Sequence, residues 1–210
     1  MDLPLFLKLD RMPCLLVGGG TVAARKAEVL AETGALLSVI APEITGWIRH
    51  AAGDGKLCWQ PRKYRDGDCA GFHLVIAATP DPEVNRAVYQ EARGRGIPVN
   101  VADRPELCTV IFGAHWCEGP LCISVSTGGS APFMASAVRD RMGEFATGMG
   151  SWVEAAGRFR AAVRKAVADA SERDLLYGRF LDRTDAGNSR NAPAGDQLED
   201  WLQWLESDKK

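Results

Sequence analysis

PCLLVGGGTVAARKAEVLAETGALLSVIAPE, Pro13 to Glu43, decides the fold. A short apolar strand, Cys14 to Val17, runs into Gly18, Gly19 and Gly20, and a helical stretch follows at once. Gly18 allows a tight turn, Gly20 lets backbone approach a pyrophosphate, and Ala23 takes the place of the third small residue that lets helix and strand pack closely. The first amides of the helix then face the phosphate charge. Gly34 fits a helix stop, and Leu36 to Ala41 reads as a second strand. The context of strand, turn, helix and strand predicts a dinucleotide-binding unit. The competing explanation is a glycine-rich turn in some other α/β fold.

The second strand continues into Pro42 and Glu43. Glu43 lies about 20 residues beyond the last glycine, where a carboxylate meets the ribose hydroxyls of NAD. No arginine directly follows the strand to take a 2′-phosphate, the nearest being Arg49, so NAD is expected rather than NADP. Glu43 could instead be a first-turn acid of a helix over 43–53.

The chain has 210 residues, of which 46% are hydrophobic, enough for one nucleotide-binding domain and a smaller second unit. Its net charge is −2 and it carries no lysine–arginine block, which argues against a nucleic-acid partner. No apolar stretch reaches the ~18–20 residues that cross a bilayer, so no membrane association is expected. The beginning, MDLPLFLKLDRMP, lacks a basic start and a long apolar core, and a cytoplasmic location is expected. Cys14, Cys58, Cys69, Cys108, Cys117 and Cys122 form no CxxC pair, and His50, His73 and His115 stand far apart. No metal site is therefore expected, and most of the cysteines are expected to be reduced.

Strands are predicted at 13–18, 36–41, 57–60, 73–78, 97–102 and 109–113, and helices at 21–33, 43–53 and 81–95. Continuous apolar runs such as His73 to Ala78 indicate strands covered on both faces, hence a parallel sheet. Thr79 then stands at the carboxyl edge, either touching the cofactor or, with Asp81, capping a helix. From Gly119 the pattern changes. Leu121 to Ser126 alternates as a strand, and Thr127-Gly128-Gly129-Ser130-Ala131-Pro132 leads into a helix from Phe133 to about Ala146. Ser130 reads as its N-cap and Pro132 as a first-turn residue. This turn could bind an anion or be a capped turn only. Residues 151–182 read as one or two amphipathic helices, Thr184 to Gln197 as a flexible linker, and Leu198, Trp201, Leu202 and Leu205 as one face of a terminal helix.

The assembled segments resemble the precorrin-2 dehydrogenases of siroheme biosynthesis, including the amino-terminal half of fused siroheme synthases and the stand-alone dehydrogenase/ferrochelatases. PLFLKLDRMPCLLVGGGTVAARKAEVL, VIAPE, VIAATPDPEVN, VNVADRPELCTVIFGA and LCISVSTGGSAPFMA carry the resemblance, which extends to about Asp182. It implies an α/β, Rossmann-type parallel-sheet domain over 1–113, a dimerisation region over 114–146 that pairs two chains, and a small helical carboxyl-terminal domain over 147–210 with a linker near 184–197. It implies that Thr21, Val22, Pro42 and Glu43 contact NAD, that Asp103 is catalytic, and that Thr127 lies near the tetrapyrrole site. The activity implied is NAD-dependent oxidation of precorrin-2 to sirohydrochlorin, with Fe²⁺ insertion left open. Fused members also carry a methyltransferase domain; methylation of uroporphyrinogen is not expected of this sequence.

Loss of a hydride and a proton from the substrate suits a base at the carboxyl edge, where Asp103 follows the strand at 97–102. Asp103 ahead of Arg104-Pro105 could also simply shape a turn. The substrate's eight carboxylates call for cations and amides. Arg104, Arg139, Arg141 and the amides of Thr127 to Ser130 are the candidates, although each arginine alone could be a solvated surface charge. Two other classes remain open: a non-catalytic NAD-sensing domain, and a dehydrogenase of the same fold acting on an unrelated small acid.

Overall fold

Unbroken apolar runs form the sheet of the first unit. The structure, a computed structural model, describes residues 2–182, 192–195 and 197–206. The chain divides into two units, Met1–Phe112 and Gly113–Lys210.

In the first unit β1 (Pro13–Val17), β2 (Leu36–Ile40), β3 (Leu57–Gln60), β4 (Leu74–Ala77) and β5 (Val99–Val101) are all parallel, in the order β3-β2-β1-β4-β5. Successive residues of a strand point to opposite faces. Cys14, Leu16, Leu74 and Ile76 accordingly share one core with α1 (Thr21–Glu32) and α2 (Gly46–Gly53). Leu15, Val17, Val75 and Ala77 share the other with α3 (Pro82–Gly94). Both faces are buried, which is why the strands read as continuous apolar runs rather than alternating ones. Strand order reverses between β1 and β4, which makes the carboxyl ends of these two strands the place for a ligand.

Two predicted elements are corrected. No strand forms at 109–113. The amides of Thr109 and Val110 both donate to the Val99 carbonyl, at 2.8 and 3.2 Å, and the Val99 amide donates to Thr109 Oγ1 at 2.8 Å. A side chain thus satisfies the outer edge of β5, and Val110 and Phe112 cover the α1 face instead. The helix expected from 43 begins only at Gly46, with Thr45 as N-cap, because the Thr45 amide is drawn onto the Gly19 carbonyl at 2.9 Å. Glu43 is therefore not a first-turn helix acid.

In the second unit β6 (Ala114–Glu118) and β7 (Leu121–Val125) form an antiparallel hairpin. β6 was not expected as a strand. The hairpin packs on α4 (Pro132–Ala146), where the Trp116 ring lies so close that a Cβ at Gly143 would meet it at 2.8 Å. Cys117 and Cys122 are opposite in register and joined as a disulfide, whereas Cys14, Cys58, Cys69 and Cys108 are free. The Cys117–Cys122 pair was not foreseen, while the other four cysteines are free. The Glu118 carboxylate accepts from the amides of Gly148 and Gly150 and so closes the start of α5 (Met149–Ala166). Phe159 of α5, Phe180 of α6 (Ala170–Asp182), and Trp201 and Trp204 of α7 (Leu198–Glu206) form an aromatic core. Of the predicted linker at 184–197, residues 184–191 and 196 lie outside the described residues. Within the rest, the Pro193 and Gly195 carbonyls accept from Arg158 Nε and Trp201 Nε1.

Candidate functional site

The three glycines after β1 are glycine for different reasons. Gly18 has φ +129°, and a Cβ there would lie 2.2 Å from the Ala78 carbonyl oxygen at the end of β4. A Cβ on Gly19 would lie 2.0 Å from the Glu43 carbonyl oxygen. The fold itself therefore forbids side chains at both positions. Gly20 has an ordinary φ of −78°, and a Cβ there meets nothing within 4 Å. Among the described residues nothing crowds Gly20, which leaves open space for a ligand to approach the backbone.

That space belongs to a cavity of about 730 Å³ bounded by the glycine turn, Pro42, Glu43, Thr45, Lys63, Tyr64 and Thr79. α1 opens on it with no side-chain cap and no acidic residue in its first turn. Uncapped amides and the positive end of the helix dipole favour an anion there. Thr45 Oγ1 at the wall is buried without a hydrogen-bond partner among the described residues, a polar group left for a ligand to satisfy. The residues present thus fit a dinucleotide.

Thr79 lines the cavity and is clamped by Asn85. The Thr79 amide donates to Asn85 Oδ1 at 3.1 Å, and Asn85 Nδ2 donates to the Thr79 carbonyl at 2.9 Å. The cap of α3 is Asp81, whose carboxylate accepts from the Glu83 and Val84 amides. The roles of Thr79 and Asp81 are thereby separated. Asn85, only 7% exposed, went unnoticed in the sequence, although a polar side chain at an inward position of α3 was the available signal.

Tyr64 is held at the wall through Glu91, which also accepts from the amides of Gly67 and Cys69 and pairs with Arg95 at 2.8 Å. Burial pushes the Glu91 carboxyl up. The bonds from Tyr64, Gly67, Arg95 and Cys69 overcome this and hold it below its usual range. Burial and the Glu91 bond keep the Tyr64 hydroxyl protonated by pushing its pKa up.

Asp103 follows β5 on the carboxyl edge of the same sheet. It is exposed, and it shares a left-handed backbone, φ +58°, with only one other non-glycine residue among those described, Arg11. The Arg104 amide closes the turn onto the Val101 carbonyl at 3.3 Å. Cys108 Sγ sits inside it, accepting from the Val101 amide at 3.2 Å and lying 3.3 Å from the Val101 and Arg104 carbonyl oxygens. Burial raises the Cys108 pKa, which keeps the thiol a neutral filler of the turn. The Asp103 side chain has no hydrogen bond or ion pair among the described residues. The turn-shaping alternative is thus met by its backbone while its carboxylate is left over.

Thr21 and Val22 are exposed at the start of α1, outside the cavity wall, and Asp103 and Arg104 also lie outside it. Arg104 is engaged by Glu106 and Arg139 by Asp140, each at 2.6 Å. Thr127, Gly128, Gly129 and Ser130 lie in the second unit. The N-cap of α4 is Ala131, not Ser130. The Ser130 hydroxyl instead donates to the Thr127 carbonyl at 2.6 Å, because left-handed Gly128 and Gly129 turn the loop back on itself. Among the described residues, no cluster of His, Cys, Asp or Glu could hold a metal ion, and no helix is long and apolar enough to cross a membrane.

Residues 5–114 match a family model of NAD(P)-binding proteins. The chain is 43% identical over 176 residues to a siroheme synthase of Azotobacter vinelandii, covering 83% of this chain and 38% of that one. It is 42% identical over 206 residues to a siroheme synthase of Pseudomonas aeruginosa, covering 95% of this chain and 44% of the relative. It therefore spans less than half the length of these relatives. Among solved structures, SirC, a precorrin-2 dehydrogenase, superposes with a TM-score of 0.73 over 98% of this chain and 100% of that chain at 20% identity, a likeness of fold.

Proposed function

The chain belongs to the NAD(P)-binding family matched by its first unit, and from that premise we propose that it oxidises precorrin-2 to sirohydrochlorin with NAD. The observation that carries the reading lies on one sheet edge, where a glycine turn kept open at Gly20 accompanies an uncommitted carboxylate at Asp103. The similarity to siroheme synthases supplies the substrate class.

Bound NAD supplies the hydride acceptor. The amides of Gly19 and Gly20, with those of Thr21 and Val22 at the start of α1, would hold the pyrophosphate, while the Gly18 amide donates to the Ile40 carbonyl at 3.0 Å and Gly18 shapes the turn. Pro42 and Glu43 meet the adenosine ribose, and Thr79, fixed by Asn85, supports the cofactor from the end of β4. The substrate loses two electrons and two protons in all, one hydride passing to NAD and the remaining proton passing to the Asp103 carboxylate. Its left-handed turn fixes the backbone from which the carboxylate projects. Arg104 is a proposed tetrapyrrole contact of the first unit, and Thr127, Gly128, Gly129 and Ser130 are proposed tetrapyrrole contacts of the second on the resemblance alone.

A homodimer belongs to the same proposal and is supported by α4. Its Phe133, Met134, Val138, Met142 and Phe145 form an exposed apolar stripe of the kind that marks an interface. The assignment of 114–146 to dimerisation, a helical domain over 147–210 and a cytoplasmic location are parts of this reading too.

The test is anaerobic precorrin-2 with NAD, followed spectroscopically. NAD-dependent appearance of sirohydrochlorin is the expected result. Binding of NAD without oxidation would move the reading to a sensor or to another substrate. Adding Fe²⁺ or Co²⁺ as a second substrate then decides whether the protein also inserts metal.

A further inference from the structure

We infer that Lys26 is the cation that anchors one carboxylate arm of the substrate beside Asp103. The inference rests on the proposed oxidation of a polycarboxylate tetrapyrrole and assigns a residue that the sequence did not single out. Ala23, Ala24 and Ala27 of α1 are buried on the sheet, and Ala102, Val110 and Phe112 pack against the same cluster. Lys26 belongs to the same helix, and Phe112, which packs beside it, lies on the segment that follows Asp103. The Lys26 ammonium lies 4.4 Å from the centroid of the Phe112 ring, a cation–π contact that fixes its direction.

Lys26 is half-buried rather than sealed, and it forms no ion pair among the described residues. Burial pushes its pKa down, and the nearby Asp103 carboxylate and Cys108 only partly offset this. An ammonium that has lost water without gaining a matched anion favours an anionic ligand. The arginines suggested by the sequence are less available, since Arg104 and Arg139 already hold Glu106 and Asp140. A carboxylate seated on Lys26 would tether the macrocycle within reach of the base.

The test is steady-state oxidation of precorrin-2 by Lys26→Met, Lys26→Gln and Lys26→Arg, with melting temperature and calorimetric NAD affinity measured on each. Lys26→Met and Lys26→Gln should raise KM for precorrin-2 by about tenfold or more while kcat stays within about threefold, and Lys26→Arg should recover most of the loss. NAD affinity should not change. An unchanged KM in the folded neutral variants, or a loss confined to kcat or to NAD binding, overturns the assignment. Two neutral replacements guard against one failing to fold. The wild-type assay is read first. If the wild-type protein does not oxidise precorrin-2, the parent reading fails and takes this inference with it. If it does, the variants judge Lys26 alone.

Discussion

The chain uses the grammar of strand, glycines and helix twice, and the two turns end differently. Between β1 and α1, Gly18 and Gly19 are demanded by carbonyls of neighbouring segments, Gly20 is open, and the helix start is uncapped. Between β7 and α4, Gly128 and Gly129 are demanded by their own left-handed backbone, φ +62° and +81°. There the loop satisfies itself. Thr127 Oγ1 accepts the Ala131 amide at 3.1 Å, Ser130 donates to the Thr127 carbonyl, and Ser126 Oγ accepts the Gly128 amide at 3.2 Å. Pro132 has no amide to offer. Glycines after a strand therefore signal an anion site only when the amides that follow remain unspent, and the first turn meets this condition better than the second.

The largest effect should separate the two regions chemically. Asp103→Ala should lower precorrin-2 oxidation by about 10²–10⁴-fold with NAD affinity retained, the usual range for a lost general base. Thr127→Val, in the self-closed loop, should cost less than about tenfold, because it removes one neutral hydrogen bond. The reverse order in the same assay would place the chemistry at the second turn.

A stability comparison comes next. Gly18→Ala combines a disallowed backbone with a collision at the end of β4, and should destabilise the protein by about 3–5 kcal/mol in urea unfolding. Gly148→Ala in the second unit, φ +86° with nothing within 4 Å of a Cβ there, carries only the left-handed penalty and should cost about 1–2 kcal/mol. Equal costs would mean that the distinction between glycine for space and glycine for conformation is wrong.

Between these falls Glu91→Gln, expected to cost about 2–3 kcal/mol through the weakened bonds to Tyr64 and Arg95 and to the Gly67 and Cys69 amides. Glu91 is held below its ordinary value of 4.5 in the folded state. Its contribution is therefore present above that pH and is lost as pH falls through the lower folded value. Glu91→Gln should flatten the acid limb of stability against pH. An unchanged acid limb would remove Glu91 from the network that holds Tyr64 at the cavity wall.

The sheet was legible because burial on both faces leaves nothing but apolar residues in β1 and β4, and the glycine turn was legible because its spacing is physical. The run Thr109 to Gly113 misled for the same reason. Val110 and Phe112 are apolar because they cover α1, not because they pair in a strand. The roles of Asn85 and Cys108 depend on contacts across six and seven residues that composition does not reveal. Nothing in the sequence distinguishes Lys26 from other helix charges, because its contact with Phe112 spans more than eighty residues of chain. Ser130 satisfied the residue preference of a cap, but the left-handed glycines before it moved the cap to Ala131.

Calorimetric titration of NAD into the wild-type protein and into Gly20→Val, both shown to be folded by circular dichroism, tests the central claim that the first turn is open for a ligand and not for the fold. The account predicts a melting temperature lowered by no more than about a few degrees, since Gly20 caps α1, and a loss of NAD affinity of about 100-fold or more in Gly20→Val. Unchanged NAD affinity in the folded variant would contradict it.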